Sequence, residues 1–217
     1  GAKIVIYALL VFGAFWMLLP FLWMIMTSFK SLQESIAVPP TWLPEKFRWN
    51  NYVEASQIAP FVLYFRNTVF VASVNSVLTI LVTILSAFVF ARLRFWGKEI
   101  LFSILLASIM VPGEMLIIQN FVTVAHLGWI DTFTALIVPW IASVFYIFLL
   151  RQYFLQIPEQ LYYAARVDGC GDWKYLWKIM VPNAKNALFT IAILNFVGSW
   201  NAFLWPLLVT NSDEKRV

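Results

Sequence analysis

Five stretches of this chain carry almost no charge, and each is long enough to cross a lipid bilayer. They lie at about 4–29, 67–91, 100–125, 132–150 and 186–209. A helix needs roughly 20 mostly apolar residues to traverse the hydrocarbon core. The third run is interrupted by Glu114, just after Pro112-Gly113. Alternating ten-residue segments of the barrel type do not appear, so the five runs read as helices. Composition agrees: 62% of the 217 residues are hydrophobic, 12% are charged, and the mean hydropathy is +0.79. Soluble domains carry about 45–50% apolar and about 25% charged residues, so a soluble enzyme or a disordered chain is excluded. With Cys170 as its one cysteine, the chain forms no intrachain disulfide.

Lysine and arginine in the short loops set the orientation. Arg92, Arg94 and Lys98 fall between runs two and three; Arg151, Arg166, Lys174, Lys178 and Lys185 fall between runs four and five; the loop between runs three and four has none. This alternation predicts a cytoplasmic N-terminus, an outer segment at 30–66 and an outer tail at 211–217. The first run is too long for a cleaved signal peptide and lacks its small-residue cleavage site. Because the chain starts at Gly1, we expect that something preceded it.

Catalytic signatures are missing. Gly97-Lys98 is followed by Glu99, so there is no nucleotide-cradling phosphate loop. The single histidine, His126, has no cysteine or carboxylate cluster beside it, which argues against a metal site and for a solvated loop residue. A G-x-S-x-G turn is also absent. Nor does the +4 net charge mark a nucleic-acid binder, since it is distributed by loop.

The inner segment 151–185 is long for a plain connector. Pro158 suits a first helical turn and Glu159 favours that helix's positive end. Leu161, Ala164, Ala165 and Asp168 follow at spacings of three and four, and Gly169 is a natural stop. Asp172 is placed to cap a second short helix over 173–180, which Pro182 then ends. The expected product is a helix-turn-helix on the inner membrane face. From the residues alone it reads equally as an interfacial connector, with Tyr162, Tyr163, Trp173 and Trp177 at headgroup level, or as a docking element.

That segment resembles the E-A-A loop of permease subunits in bacterial ABC importers: E-A-A, three residues, Gly, nine residues, then I-x-L-P. Ala164-Ala165, Arg166 to Asp168, Gly169, Cys170 to Lys178, then Ile179-Met180-Val181-Pro182 keep the spacing. The A-A-R-[IV]-D-G-[AC] variant is similar to the maltose-type carbohydrate importers, in particular the shorter of their two permeases. Other blocks follow in the same order: Ser28-Phe29-Lys30, Pro39 to Pro44, Asn51-Tyr52, Phe65 to Thr68, Met110 to Gly113, Gly198 to Asn201, and Phe203 to Pro206. There are two departures. Tyr163 stands where the family has its glutamate, and Glu159, one turn earlier on the same face, is the substitute the spacing offers. The family has six spans and this chain five, which leads us to expect one permease domain over 1–217, trimmed at both ends.

The resemblance implies an all-α membrane protein, a bundle of transmembrane helices with a cytoplasmic coupling loop, located in a bacterial inner membrane. It implies a non-enzymatic subunit that moves a sugar or oligosaccharide by alternating access. It binds no cofactor; ATP and Mg sit on a partner ATPase dimer. A homologous second permease and an extracytoplasmic sugar-binding protein complete the assembly. Coupling falls to Glu159, Tyr163, Ala164, Ala165, Asp168, Gly169, Ile179 and Pro182. For the substrate pathway the candidates are Glu114, Gln119, Asn120, Trp200 and Asn201. A charge within a span is a functional candidate by default. Against this, Trp200 and Trp205 also suit belt or packing roles, and Asn75, Asn195 and Asn201 suit interhelical hydrogen bonds. The alternatives are a glycerol-phosphate or other polyol cargo, disfavoured by the lack of Lys or Arg inside a span, and a scaffold that only docks partners.

Overall fold

The computed structural model describes residues 2–217, and all regular structure among them is helical. The chain divides into two compact units, Gly1–Phe61 and Val62–Val217.

The first unit is built on α1 (Ala2–Ser28), 27 residues with no acidic group in its first turn and no basic group in its last. Its apolar side chains are exposed on every side: Ile4, Phe12, Trp16 and Phe21 all lie above half exposure. A helix that is apolar all round has lipid as its natural solvent. The following segment folds back on the end of this helix. Phe29 is buried against the rings of Phe47, Trp49 and Tyr52. Asn51 donates to the carbonyls of Ser28, the last residue of α1, and of Lys30 just beyond it, both at 2.9 Å, which gives the helix-end acceptor of Ser28 a partner it lacks within the helix. The buried ammonium of Lys30 donates to the Thr41 carbonyl and lies 4.5 Å from the Trp23 ring centre. Two short helices complete the unit: α2 (Leu32–Ser35), opened by a Ser31/Glu34 capping box, and α3 (Asn50–Ile58).

The second unit is organised by α4 (Phe61–Arg92), a 32-residue helix. At about 1.5 Å per residue it is roughly 48 Å long, more than a bilayer core requires. Its buried residues include Asn67, Val71, Asn75, Thr79, Thr83, Ala87 and Ala91. These recur every four residues, so each neighbouring pair shares a side of the helix and the buried face winds slowly round it, by about 40° per step. That face meets two separate cores. Towards its start, Val71 packs with Val124, Leu136, Trp205 and Val209. Towards its end, Ile84, Ala87, Phe88 and Ala91 pack with Leu150, Phe154, Tyr175, Leu176 and Ile191.

Three of the expected spans are not straight helices. The run at 100–125 is divided into α5 (Lys98–Ser108) and a second piece, a 3-10 turn Gly113–Leu116 leading into α6 (Ile117–His126), bent by 89°. Pro112 removes a backbone donor and its ring disfavours helix in the preceding residue, so the chain breaks there. The run at 132–150 becomes α7 (Phe133–Ile137), a 3-10 turn Val138–Trp140 and α8 (Val144–Gln156), bent by 46°. Ser143 caps α8 by accepting from the Tyr146 amide. α8 continues through Gln156, so the first six residues of the expected loop at 151–185 belong to this helix. Within the loop lie α9 (Glu159–Val167), α10 (Asp172–Tyr175), a π-helical turn Leu176–Met180 and α11 (Val181–Asn183). The run at 186–209 is α12 (Lys185–Trp200), a break at Asn201 to Phe203, and α13 (Leu204–Val209).

Candidate functional site: the loop between α8 and α12 and a cavity beside α4

The loop's first helix begins and ends where its residues require. Pro158 is the N-cap, with φ −57° and ψ 136°, so it stands one residue before the first turn in which the sequence had placed it. Gly169 follows the last turn at φ +73°, a left-handed conformation that costs glycine little. The turn is closed by the Gly169 amide to the Arg166 carbonyl at 3.1 Å and the Cys170 amide to the Ala165 carbonyl at 2.8 Å. Cys170 is buried in this turn.

Two expectations for the second helix are corrected. Asp172 is the first helical residue and Gly171 the N-cap; the carboxylate instead accepts from the Tyr162 hydroxyl at 2.9 Å and pairs with Arg166 at 3.5 Å. Pro182 does not end the helix. It is the second residue of α11, which continues directly from the π-helical turn, and the chain leaves helical geometry at Ala184 (φ −97°, ψ 13°).

Burial divides α9 into two faces. Ala165 is buried in the core formed with Phe154, Cys170, Tyr175 and Met180. Glu159, Tyr163, Ala164 and Asp168 are exposed, as are Gly169 and Pro182, while Ile179 is half-buried. Glu159 and Tyr163, four apart, share the outward face, and Val167 extends it with 88% of its surface exposed. The loop is therefore firmly seated on α4, α8 and α12 through one face and free on the other.

A cavity of about 580 Å³ lies at the other end of α4. Its polar lining comes from Thr68, Asn75, Ser143, Tyr146, Asn195 and Ser199, and its apolar lining includes Val71, Leu136, Trp140, Phe203 and Trp205. The Asn195 amide donates to the Asn75 Oδ1 at 3.0 Å and to the Ser76 hydroxyl at 3.3 Å, and Asn75 donates to the Ile137 carbonyl at 3.2 Å. The expected interhelical bonding of both asparagines is present, and both also face the cavity. Sequence reasoning missed Thr68, Ser143, Tyr146 and Ser199, because short hydroxylic side chains in apolar runs give no signal of what they line. Trp205 is buried, with its indole N–H on the Ala135 carbonyl at 2.9 Å, a packing role.

None of the five expected pathway residues lines this cavity. Glu114 is exposed at the bend after Pro112, Gln119 is exposed and Asn120 half-buried on α6. Trp200 ends α12, stacked on Phe196 and edge-on to Phe65. Asn201 is exposed and bonds back to the Val197 carbonyl of its own helix at 3.0 Å, not to another helix. His126 is the exposed last residue of α6, and no cluster of metal-ligating side chains occurs among the described residues.

A helical membrane chain with a seated, outward-facing loop helix has the form of a transporter's membrane subunit. Residues 2–214 match the family described as binding-protein-dependent transport system inner membrane component, and the chain belongs to that family. It is 33% identical over 213 residues to the diacetylchitobiose uptake system permease protein NgcG of Streptomyces coelicolor, covering 97% of this chain and 70% of that protein. It is 30% identical over 217 residues to the sn-glycerol-3-phosphate transport system permease protein UgpE of Yersinia enterocolitica, covering 97% of this chain and 77% of that one. The fold matches a crystal structure of a bacterial ABC transporter involved in the import of the acidic polysaccharide alginate, with TM-score 0.84, 26% identity, and coverage of 98% of this chain and 75% of that chain. The protein is thus a non-enzymatic permease subunit of an ATP-driven importer in a bacterial inner membrane, and it works with an ATPase, a second permease and a substrate-binding protein.

Proposed function

We propose that this subunit imports an oligosaccharide by alternating access and takes its drive from an ATPase dimer docked on the loop at 158–182. The observation that carries this reading is the division of α9 into a buried face, through Ala165, and an exposed face bearing Glu159, Tyr163, Ala164 and Val167. An exposed face on a helix anchored to three membrane helices is suited to seating in a partner's groove. ATP and Mg are held by that partner. Moving a two-state equilibrium from 1:99 to 99:1 takes roughly 5.5 kcal/mol of differential binding, which nucleotide-driven closure around the docked helix supplies. The basic loops face the cytoplasm, and the N-terminus lies there too. Glu114, Gln119, Asn120, Trp200 and Asn201 contribute to the pathway from surfaces outside the cavity, where a homologous permease faces them.

The likeness to UgpE supports a second reading, a glycerol-phosphate or related cargo. The cavity weighs against it: its lining holds amide and hydroxyl side chains and no Lys or Arg, whereas a phosphate ester calls for charge-assisted donors. A mild-detergent pull-down of the tagged full-length protein from its native membranes tests the assembly. Recovery of an ATPase, a sibling permease and a sugar-binding protein is the expected result. A folded subunit that purifies alone would defeat the docking role.

A further inference from the structure

The inner ends of α4 and α8 are capped by each other's arginines. The last carbonyls of a helix have no intrahelical donors and carry its negative pole. Arg151, on α8, donates through Nε to the Phe90 carbonyl of α4 at 3.0 Å. Arg92, the last residue of α4, donates through Nη2 to the Phe154 carbonyl of α8 at 2.9 Å and to the Ile157 carbonyl. Arg151 is held further by Glu99 at 3.6 Å and by the Phe102 ring, whose centre is 4.1 Å from its guanidinium carbon.

Ile157 is the joint. It is the C-cap of α8, with an extended backbone (ψ 125°), and Pro158 follows as the N-cap of α9. Proline has no amide hydrogen to donate across such a joint, so the helix ladder does not carry the direction of α8 into α9. The charge-assisted bond from Arg92 to the Ile157 carbonyl supplies a link of that kind, and it leads to α4. That helix is unbroken from Arg92 to Asn75, about 25 Å at its regular rise. Asn75, Val71 and Thr68 on the same helix line the cavity. The Nε of Arg92 and the hydroxyl of buried Tyr175 have no hydrogen-bond partner among the described residues. Burial pushes the Tyr175 hydroxyl above the usual phenol range, and the Arg92 charge opposes that shift. The guanidinium therefore keeps a free donor at the joint between α8 and α9.

We infer that Arg92 is the positioning residue that couples α9 to α4, so that displacement of the docked helix is delivered to the cavity through one rigid helix. This rests on the reading of the loop as the ATPase contact. The test uses the complete importer in proteoliposomes, with its own ATPase, second permease and loaded binding protein, and reads substrate moved per ATP hydrolysed. Arg92→Ala should lower that ratio about tenfold, within the usual span of coupling between two sites. Arg92→Lys keeps the charge but not the forked reach to two carbonyls, and should lower it about threefold. Arg94→Ala, an exposed change in the same basic loop, should leave it as it was. A residue needed only for folding would reduce the yield of complex and leave the ratio per complex intact. Ratios within twofold of wild type for Arg92→Ala would overturn the inference; if that variant yields no complex, an unaltered ratio for Arg92→Lys overturns it. A wild-type importer that assembles yet shows no coupled hydrolysis would instead sink the function proposed above.

Discussion

The hydroxyl of Tyr162 donates to the carboxylate of Asp172 at 2.9 Å and ties α9 to α10 across the Gly169 turn. Arg166 completes the cluster, 3.5 Å from Asp172 and with its guanidinium carbon 5.9 Å from the Tyr162 ring centre. Tyr162→Phe should loosen the turn by about 0.5–1 kcal/mol, given the partial exposure of the pair. Faster hydrogen exchange at residues 169–172 with unchanged exchange in α4 is the expected pattern. Equal exchange in the two proteins would show that the bond contributes nothing. The Asp172 bond, aided by burial, raises the Tyr162 pKa. A raised pKa gives stability that is present below the ordinary phenol value, so the tie holds at neutral pH and is lost as pH rises through the raised value.

Gly169 has a positive φ, and a Cβ built on it meets nothing within 4 Å. The cost of substitution is therefore backbone strain and not a clash, about 1–2 kcal/mol for an ordinary residue. Gly169→Val should lower transport per ATP while the protein still inserts in the membrane. Gly169→Asn should do less harm, because asparagine accepts this conformation more readily than other residues. Equal transport ratios for the valine and asparagine variants would rule out backbone conformation as the cause.

Glu159 and Tyr163 share the outward face of α9. If Glu159 takes over from the family's glutamate, Glu159→Ala should weaken ATPase retention about tenfold, the loss of one charge-assisted contact. The double change Glu159→Ala with Tyr163→Glu should restore most of it. Retention that ignores both changes would remove the carboxylate from the docking contact.

Much of this was legible in the sequence because charge and spacing announce it. Five charge-free runs gave the helical membrane class, and Gly169 fell where the loop needs a left-handed residue; Ala165, expected at the docking surface, is instead buried in the chain's own core. The breaks within runs three to five were less legible. Pro112-Gly113 marks one bend and Pro139 stands just before the next, but neither proline says how far the two halves of its run are turned. Asp172 illustrates a different limit: a carboxylate at a helix start suggests a cap, and only the fold brings Tyr162 near enough to claim it. The reciprocal caps of Arg92 and Arg151 join residues 61 and 62 positions apart in the chain, a relation that local spacing does not encode.

Asn195 bridges α12 to α4 where the two core regions of α4 meet, bonding both Asn75 and Ser76. Asn195→Leu removes both bonds and leaves the Asn75 oxygen without that donor. Polar contacts of this kind in membrane helices are worth about 0.6 kcal/mol on average and at most about 1.7, so the detergent-solubilised protein should unfold a few degrees lower. Asn195 also lines the cavity, so substrate accumulation should fall by more than stability explains. Accumulation that tracks the amount of folded protein would assign Asn195 a packing role alone.

Asp131 ties the turn before α7 to the residues that follow α13. Its amide donates to the Val209 carbonyl at 2.7 Å, and its Oδ1 accepts from the amides of Ser212 at 3.0 Å and Asn211 at 2.9 Å. It does so at φ +62°, a conformation in which Asp and Asn are enriched. The Ser212 and Asn211 amides hold its carboxyl below the usual carboxylate range. For a lowered pKa the contribution to stability is complete above the unfolded value, about 3.9, and is lost as pH falls through the lower folded value. Exchange protection at 211 and 212, corrected for intrinsic rate, should therefore stay level from pH 7 to about 4 and fall below that. Asp131→Asn keeps an oxygen acceptor but has no charge to titrate, so its protection should be lower at neutral pH and flat across the same interval. If the two proteins show the same acid dependence, another group governs the turn.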